Sequence, residues 1–469
     1  MSGGLGNDIL NGGSNVDLIS SLYGHETNVM QRNTYDLTHL GDFTWGTSKT
    51  TLAYEYVRNW RLNEGLAGGP EGAINDSGAA MSRLRNTRLS SEVNLPFSLA
   101  SSEHVLTLGG EYLYEVLNDQ GSLRSQSFDP SGTPGNQIDG FDRSNTKISA
   151  KSFALFAEDN IVLGDTTITP GLRLDHHEQF GDNYSPSLNV SHKLTADLTV
   201  KGGIARAYKT PNLYQYNSNY LLYSRGNGCS TQQTNNGGCY LQGNASLAPE
   251  TSVNKELGLE YKADGWVAGL TYFRNDYKNK VESGLAPVSR ASGGSGAYRN
   301  AAIYQWENVP KALVEGLEGT LTIPLASQLT WNNNFTYMLQ SKNKQTGDYL
   351  SVTPRYTLNS MLDWQATQDL SLQASVAWYG QQTPKKYDYH GDRVTGSATQ
   401  QLAPYAIAGV SGTYALTRHL SITAGVDNLF DKRLFREGNA QGVNNIAGAG
   451  AATYNEPGRT LYTSLSASF

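Results

Sequence analysis

The sequence predicts an all-β fold, a transmembrane antiparallel β-barrel of about 17 strands, because apolar residues recur at every second position in segment after segment. Two further observations agree with it: the polar side of that rhythm carries little charge, and the connectors alternate between short and long. Of the 469 residues only 17% are charged, while Tyr reaches 28 and Gly 50. An ordinary soluble domain has roughly 25% charged residues. Lys+Arg number 36 against 42 Asp+Glu, a formal charge of −6, which excludes a broad basic surface for nucleic acid. Mean hydropathy is −0.47 and no apolar run reaches the length of about 18 residues that a spanning helix needs. A barrel escapes that test, because each strand turns one face to lipid and the other to the lumen.

The chain opens on Met1-Ser2-Gly3-Gly4, without the basic start and apolar core of a signal peptide, and residues 1–20 read as an irregular N-terminal segment. Alternation then runs through Leu106, Leu108, Gly110, Tyr112, Tyr114 and Val116, and through Leu198, Val200, Gly202 and Ile204. It returns at Leu257, Leu259 and Tyr261, at Leu372, Ala374, Val376 and Trp378, and at Ala406, Ala408, Val410, Gly412 and Tyr414. Leu420, Ile422, Ala424 and Val426 continue it, and Leu461, Thr463, Leu465, Ala467 and Phe469 end the chain with one oily face. A soluble sandwich also alternates, but its wet face is rich in Lys and Glu. Here that face is Ser, Thr, Asn, Gly and Tyr with occasional charges such as Glu256 and Glu260, which suits a crowded polar lumen.

Tight turns are expected at 163–166, 195–197, 263–265 and 417–419, and long excursions at 61–82, 117–147, 209–251, 278–309 and 379–403. Turns on one rim and long loops on the other describe an outer-membrane barrel. Trp45, Trp331 and Trp364 near strand ends read equally as interfacial belt residues or core aromatics. Cys229 and Cys239 are too few for a zinc site. They form either a disulfide closing a short loop, worth roughly 3 kcal/mol on the chain-entropy model, or two free thiols. His176 and His177 are adjacent, hence on opposite faces, and cannot jointly hold a metal.

Three ordered segments resemble TonB-dependent outer-membrane receptors: Ala205 to Tyr214 (ARAYKTPNLY), Leu247 to Gly258 (LAPETSVNKELG) and Gly425 to Lys432 (GVDNLFDK). The ending from Glu456 to Phe469 resembles their last strand with its terminal aromatic. Finer segments resemble the ferric-enterobactin (catecholate siderophore) receptors: Gly24 to Asn28, Asn63 to Gly69, Tyr220 to Cys229 and Asn308 to Ala312. The resemblance implies the cell outer membrane of a Gram-negative bacterium, uptake of a ferric siderophore powered by the TonB–ExbB–ExbD system, outer-membrane lipid as a partner, no resident cofactor and no enzymatic activity. Family barrels have 22 strands around a plug. Residues 21–469 therefore read as a partial barrel without the plug or the first strands. Such a piece is expected to aggregate when purified alone, because open edges in hydrocarbon leave backbone groups unpaired.

A ferric tris-catecholate is a trianion with flat aromatic rings, so its receptor needs cations, aromatic faces and hydrogen-bond donors. The 209–251 excursion offers Arg225 first, with Tyr214, Tyr216, Tyr220, Tyr223 and Tyr240 around it and Cys229 to Cys239 stiffening the tip. Each tyrosine is read equally as loop packing. Arg58, Arg61 and the run containing Gly68 and Gly69, able to present consecutive N–H groups to an anion, form a second candidate; Lys385 and Lys386 form a third. Gly3 to Asn11 fits one copy of the calcium-binding nonapeptide of RTX proteins and Gly12 to Asp17 a degraded second, so a calcium-binding β-roll is the alternative, alongside a general porin. A hydrolase set in a barrel would need Ser, His and an acid or amide at one rim.

Overall fold

The computed structural model describes residues 28–64, 74–119, 145–224, 239–284, 286–292, 300, 302–350, 353–384, 386, 393, 395–432 and 458–468. The strands are β1 (Asn28–Phe43), β2 (Gly46–Glu64), β3 (Ile74–Leu99), β4 (Ser102–Asp119), β5 (Lys147–Leu163), β6 (Thr166–His177), β7 (Gly181–Lys193), β8 (Leu198–Lys209), β9 (Leu221–Ser224) and β10 (Cys239–Gln242). They continue as β11 (Glu250–Ala263), β12 (Trp266–Ser283), β13 (Ser289–Arg290), β14 (Ala302–Ala326), β15 (Leu329–Asn343), β16 (Tyr356–Gln365), β17 (Leu370–Tyr379), β18 (Tyr405–Thr417), β19 (Leu420–Asp427) and β20 (Thr460–Ala467). Of these 20 strands, all but β9, β10 and β13 form one antiparallel wall, seventeen in succession, each paired with the next. Among the described residues β1 pairs only with β2, and β20 only with β19.

Register carries the oily stripe from strand to strand. Leu259 lies opposite Val200 on one side and Leu270 on the other. Val410 lies between Ala374 and Val426, and Ile422 between Tyr414 and Leu465. Cross-strand partners share a face, so a slip of one residue would move the whole apolar set inward. Among the described residues no second layer covers this face: Leu257 is 62% exposed and Leu465 66%. In lipid each such side chain leaves water and stabilises the wall by about 1.5–3 kcal/mol. Trp45, Trp331 and Trp364 all sit at the short-turn rim and are exposed, the placement of an interfacial girdle.

The turns at one end, from 44–45 through 418–419, take two to four residues each. Gly46 holds the first, at φ 144, where a Cβ would lie 2.0 Å from the Asn94 carbonyl oxygen. The other rim carries the long connections, with one exception at 178–180. Two predicted excursions are shorter than expected: β2 and β3 extend to Glu64 and back from Ile74, and β12 and β14 to Ser283 and from Ala302. Beyond the apolar band both faces of a strand meet water, so the two-residue rhythm fades while the backbone pairing continues.

Candidate functional site

The β8–β11 connection, residues 210–249, holds most of the predicted site residues. It begins with one helical turn, α1 (Leu213–Tyr216), started by Asn212. The Asn212 side chain accepts from the backbone N–H of Tyr214 (3.1 Å) and Gln215 (2.9 Å), and Gln215 Oε1 accepts from Asn212 N–H (2.9 Å). This reciprocal cap satisfies donors the short turn cannot satisfy itself. Leu213 and Tyr216 pack on Leu117 and Ala150, with Leu84, Ile148 and Phe180 beside them. Leu84, Leu117 and Ile148 form one cross-strand row, on the parity opposite to the oily face, so the connection folds inward over the barrel mouth. Tyr216 meets Phe180 edge-on at 5.2 Å and His177 at 6.2 Å.

From there β9 turns back through β10, antiparallel, and β10 runs parallel to the upper part of β14, Tyr240 opposite Ile303. Gly243 is required where the hairpin crosses α1, because a Cβ would sit 1.9 Å from the Asn217 carbonyl oxygen. Asn308 then fastens the end of the connection: its Nδ2 donates to Ala248 O (2.9 Å) and Asn279 O (2.8 Å), and its Oδ1 accepts from Ala248 N–H (2.8 Å). Asn244 Nδ2 adds a bond to Trp306 O at 2.8 Å. In the sequence Asn308 stands out only as the first residue of the resembling segment Asn308 to Ala312.

The tyrosines divide by role. Tyr214 Oη donates to Asp119 Oδ2 at 2.7 Å, and its ring lies 4.8 Å from that of Tyr220. Tyr216, Tyr220 and Tyr240 are buried, Tyr240 completely. Burial, then the carboxylates of Glu178 and Glu115, pushes the Tyr216 hydroxyl up to about 12, and burial together with Asp119 raises Tyr214 as well. These are the feet of the hairpin, holding it to the wall. Arg225 and Cys229, Gly68 and Gly69, and Lys385 lie outside the described residues, as do the side chains of Arg61, Tyr223 and Cys239. Lys386 donates from N–H to Asp348 Oδ1 (2.8 Å) and from Nζ to Gly347 O (3.2 Å), tying the β17–β18 connection to the β15–β16 one. Arg58 bonds Gln31 and lies 5.8 Å from the Tyr56 ring centre. It shares the parity of Leu52 and Tyr54, the outward face, and is not brought together with the hairpin. The alternation already implied that placement.

A Ser–His–Asp set does occur at the short-turn rim. His104 Nδ1 lies 2.8 Å from Asp159 Oδ2, and its Nε2 2.8 Å from Ser102 Oγ. The Ser102 hydroxyl donates to Leu99 O at 2.7 Å, and Phe97 stacks on the imidazole at 4.7 Å. Its proton is committed to a backbone carbonyl and its oxygen is buried, so the trio braces the β3–β4 turn rather than arming a nucleophile.

Comparison with known proteins agrees with this architecture. The family model described as TonB dependent receptor-like, beta-barrel matches residues 2–429, which takes in both glycine-rich copies near the N-terminus and removes support from the β-roll alternative. The chain is 64% identical over 465 residues to the ferric enterobactin receptor of Pseudomonas aeruginosa, covering 98% of this chain and 61% of that protein. It is 51% identical over 462 residues to the ferrienterobactin receptor of Escherichia coli, covering 96% and 60%. A crystal structure of the P. aeruginosa receptor in complex with BCV-L6 superposes with a TM-score of 0.87 at 64% identity, over 97% of this chain and 64% of that one. The chain thus spans about three-fifths of the length of the curated relatives it matches. Wall, rims and sequence together make it a member of the TonB-dependent receptor family, in its outer-membrane β-barrel part.

Proposed function

We propose that the protein forms the wall and mouth of an outer-membrane receptor for ferric catecholate siderophores, ferric enterobactin among them, whose uptake is driven by the TonB–ExbB–ExbD system. The observation that carries the reading is the hairpin folded over the mouth. Its feet are fixed by buried tyrosines, by the Asn212 cap and by Asn308, and Arg225 follows β9 directly in the sequence. A rigid base lowers the ordering cost of gripping a large ligand. Arginine suits the phenolate oxygens because its planar fork is always charged, and tyrosine suits the catechol rings. The relatives named above are receptors, and nothing in the braced Ser102 trio argues for an enzyme.

Binding to a detergent-solubilised full-length receptor that contains this chain, followed by quenching of tryptophan fluorescence, tests this reading. A ferric tris-catecholate is expected to bind at least a hundredfold more tightly than a ferric hydroxamate. Equal affinity for the two would overturn the catecholate assignment.

A further inference from the structure

The wall has one junction at which both neighbouring strands run on past their shared ladder. β7 and β8 are joined by seven residue pairs, from Lys193–Thr199 to Ser187–Ala205. Beyond the last pair lie six more residues of β7, Gly181 to Pro186, and four of β8, Arg206 to Lys209. Each stretch keeps its other neighbour, β6 for β7 and β11 for β8. At the long-loop end of every other wall junction among the described residues, one of the two strands stops within a residue of the last pair. The ladder ends here for a chemical reason: Pro186 comes next on β7 and has no N–H to offer. The result is a notch in the wall, roughly 20 Å long on the β7 side at about 3.3 Å per residue.

Among the described residues one side chain bridges the notch by hydrogen bonds. Arg206 donates from Nη1 to Asn183 Oδ1 and to the Tyr184 carbonyl oxygen. Asn183 is buried, and its Nδ2 donates to Ser185 Oγ at 2.9 Å. Tyr208, which the continued register would set opposite Tyr184, has a buried hydroxyl without a hydrogen-bond partner among the described residues. The two sides of the notch also belong to different bodies. β8 leads through residues 210–212 into α1, whereas the β6–β7 turn is what α1 rests on, through Tyr216 against Phe180 and His177. With only three residues between α1 and β8, movement of α1 off that turn draws upper β8 away from the β7 tip. A continuous ladder would resist such parting along its whole length; here one guanidinium does. We propose that the β7–β8 notch is the hinge on which the base of the mouth hairpin swings aside to admit captured ligand to the lumen, with Arg206 as its latch. The inference rests on the receptor reading and adds a moving part to it.

The test uses a full-length receptor that contains this chain, in the outer membrane of cells, with binding and uptake of a radio-iron-labelled ferric tris-catecholate counted separately. Tyr184→Cys/Tyr208→Cys, joined by a short bismaleimide, staples the notch and leaves Arg206 in place. The stapled receptor is expected to bind within twofold of the two single-cysteine variants treated with the same reagent, and to take up ligand at least tenfold more slowly. Uptake at the rate of the single variants would overturn the hinge, and so would loss of binding together with uptake, because the notch would then serve capture rather than passage. Spin labels on the same two cysteines, read as a distance distribution in the purified receptor, test the latch without any ligand. Arg206→Gln is expected to raise the long-distance population at least threefold, and an unchanged distribution would overturn the role of Arg206. Failure of the single variants to bind the catecholate would count against the receptor reading instead, and the distance measurement would still decide the latch.

Discussion

Replacing Asn308 with alanine removes three hydrogen bonds at once, at 2.8, 2.8 and 2.9 Å, and strands the Ala248 N–H and two backbone carbonyls. Each such bond is worth about 0.5–1.5 kcal/mol net, and at this half-buried position water takes up part of the loss, so a cost of about 2 kcal/mol is expected. At 1.4 kcal/mol per factor of ten this is about a thirtyfold shift towards the undocked connection. The cost is local, because the wall strands on either side keep their own ladders. Hydrogen exchange read on peptides covering 210–224 and 244–250 is expected to show about a thirtyfold loss of protection in the variant, with β4 and β5 unchanged. Ferric catecholate affinity falls with it if the hairpin must be docked to bind. Unaltered exchange in the connection, or equal loosening of the wall, would refute the role assigned to Asn308.

Other substitutions probe separate parts of the molecule. Tyr214→Phe deletes the bond to Asp119 and is expected to destabilise the α1 contact by about 1.5–3 kcal/mol, read as lost exchange protection confined to 213–220. The Tyr216 hydroxyl is raised from 10.0 to about 12, so docking that depends on the neutral phenol is intact below pH 10 and lost as pH rises through 12. The difference in phenolate absorbance between the protein and Tyr216→Phe should therefore appear only near pH 12; a step at pH 10 would contradict the burial. Arg225→Ala in a full-length receptor is expected to weaken ferric-enterobactin binding by about 1 kcal/mol or more, and an unchanged dissociation constant removes Arg225 from the site. In a full-length receptor Leu259→Arg puts a charge in the apolar band at about 2–4 kcal/mol, and the heat-modifiable folded fraction on electrophoresis should fall.

The wall was legible because two-residue periodicity is local. Leu257, Leu259 and Tyr261 announce their face without help from the rest of the chain, and four of the short turns follow from the gaps between such segments. The upper ends of β12 and β14 were not, since Arg274 and Asp276 look polar on every side. The clamp of Asn308 on Ala248 was beyond any local reading, because the partners lie 60 residues apart. Composition marked this connection as tyrosine-rich, but composition does not tell which tyrosines are buried, as Tyr216, Tyr220 and Tyr240 are. That distinction depends on which way the connection folds over Leu117 and Ala150.

Strand β14 is 25 residues long, roughly 80 Å of extended backbone, and among the described strands it alone pairs both with the mouth hairpin, through β10, and with wall strands as far as the turn at 327–328. Because β10 runs parallel to it, a pull on the hairpin along the strand loads the four register pairs from Cys239–Ala302 to Gln242–Gln305 together, in shear, rather than unzipping them one after another. Force applied at the mouth is thereby delivered lengthwise into a single stiff rod that ends at the opposite rim.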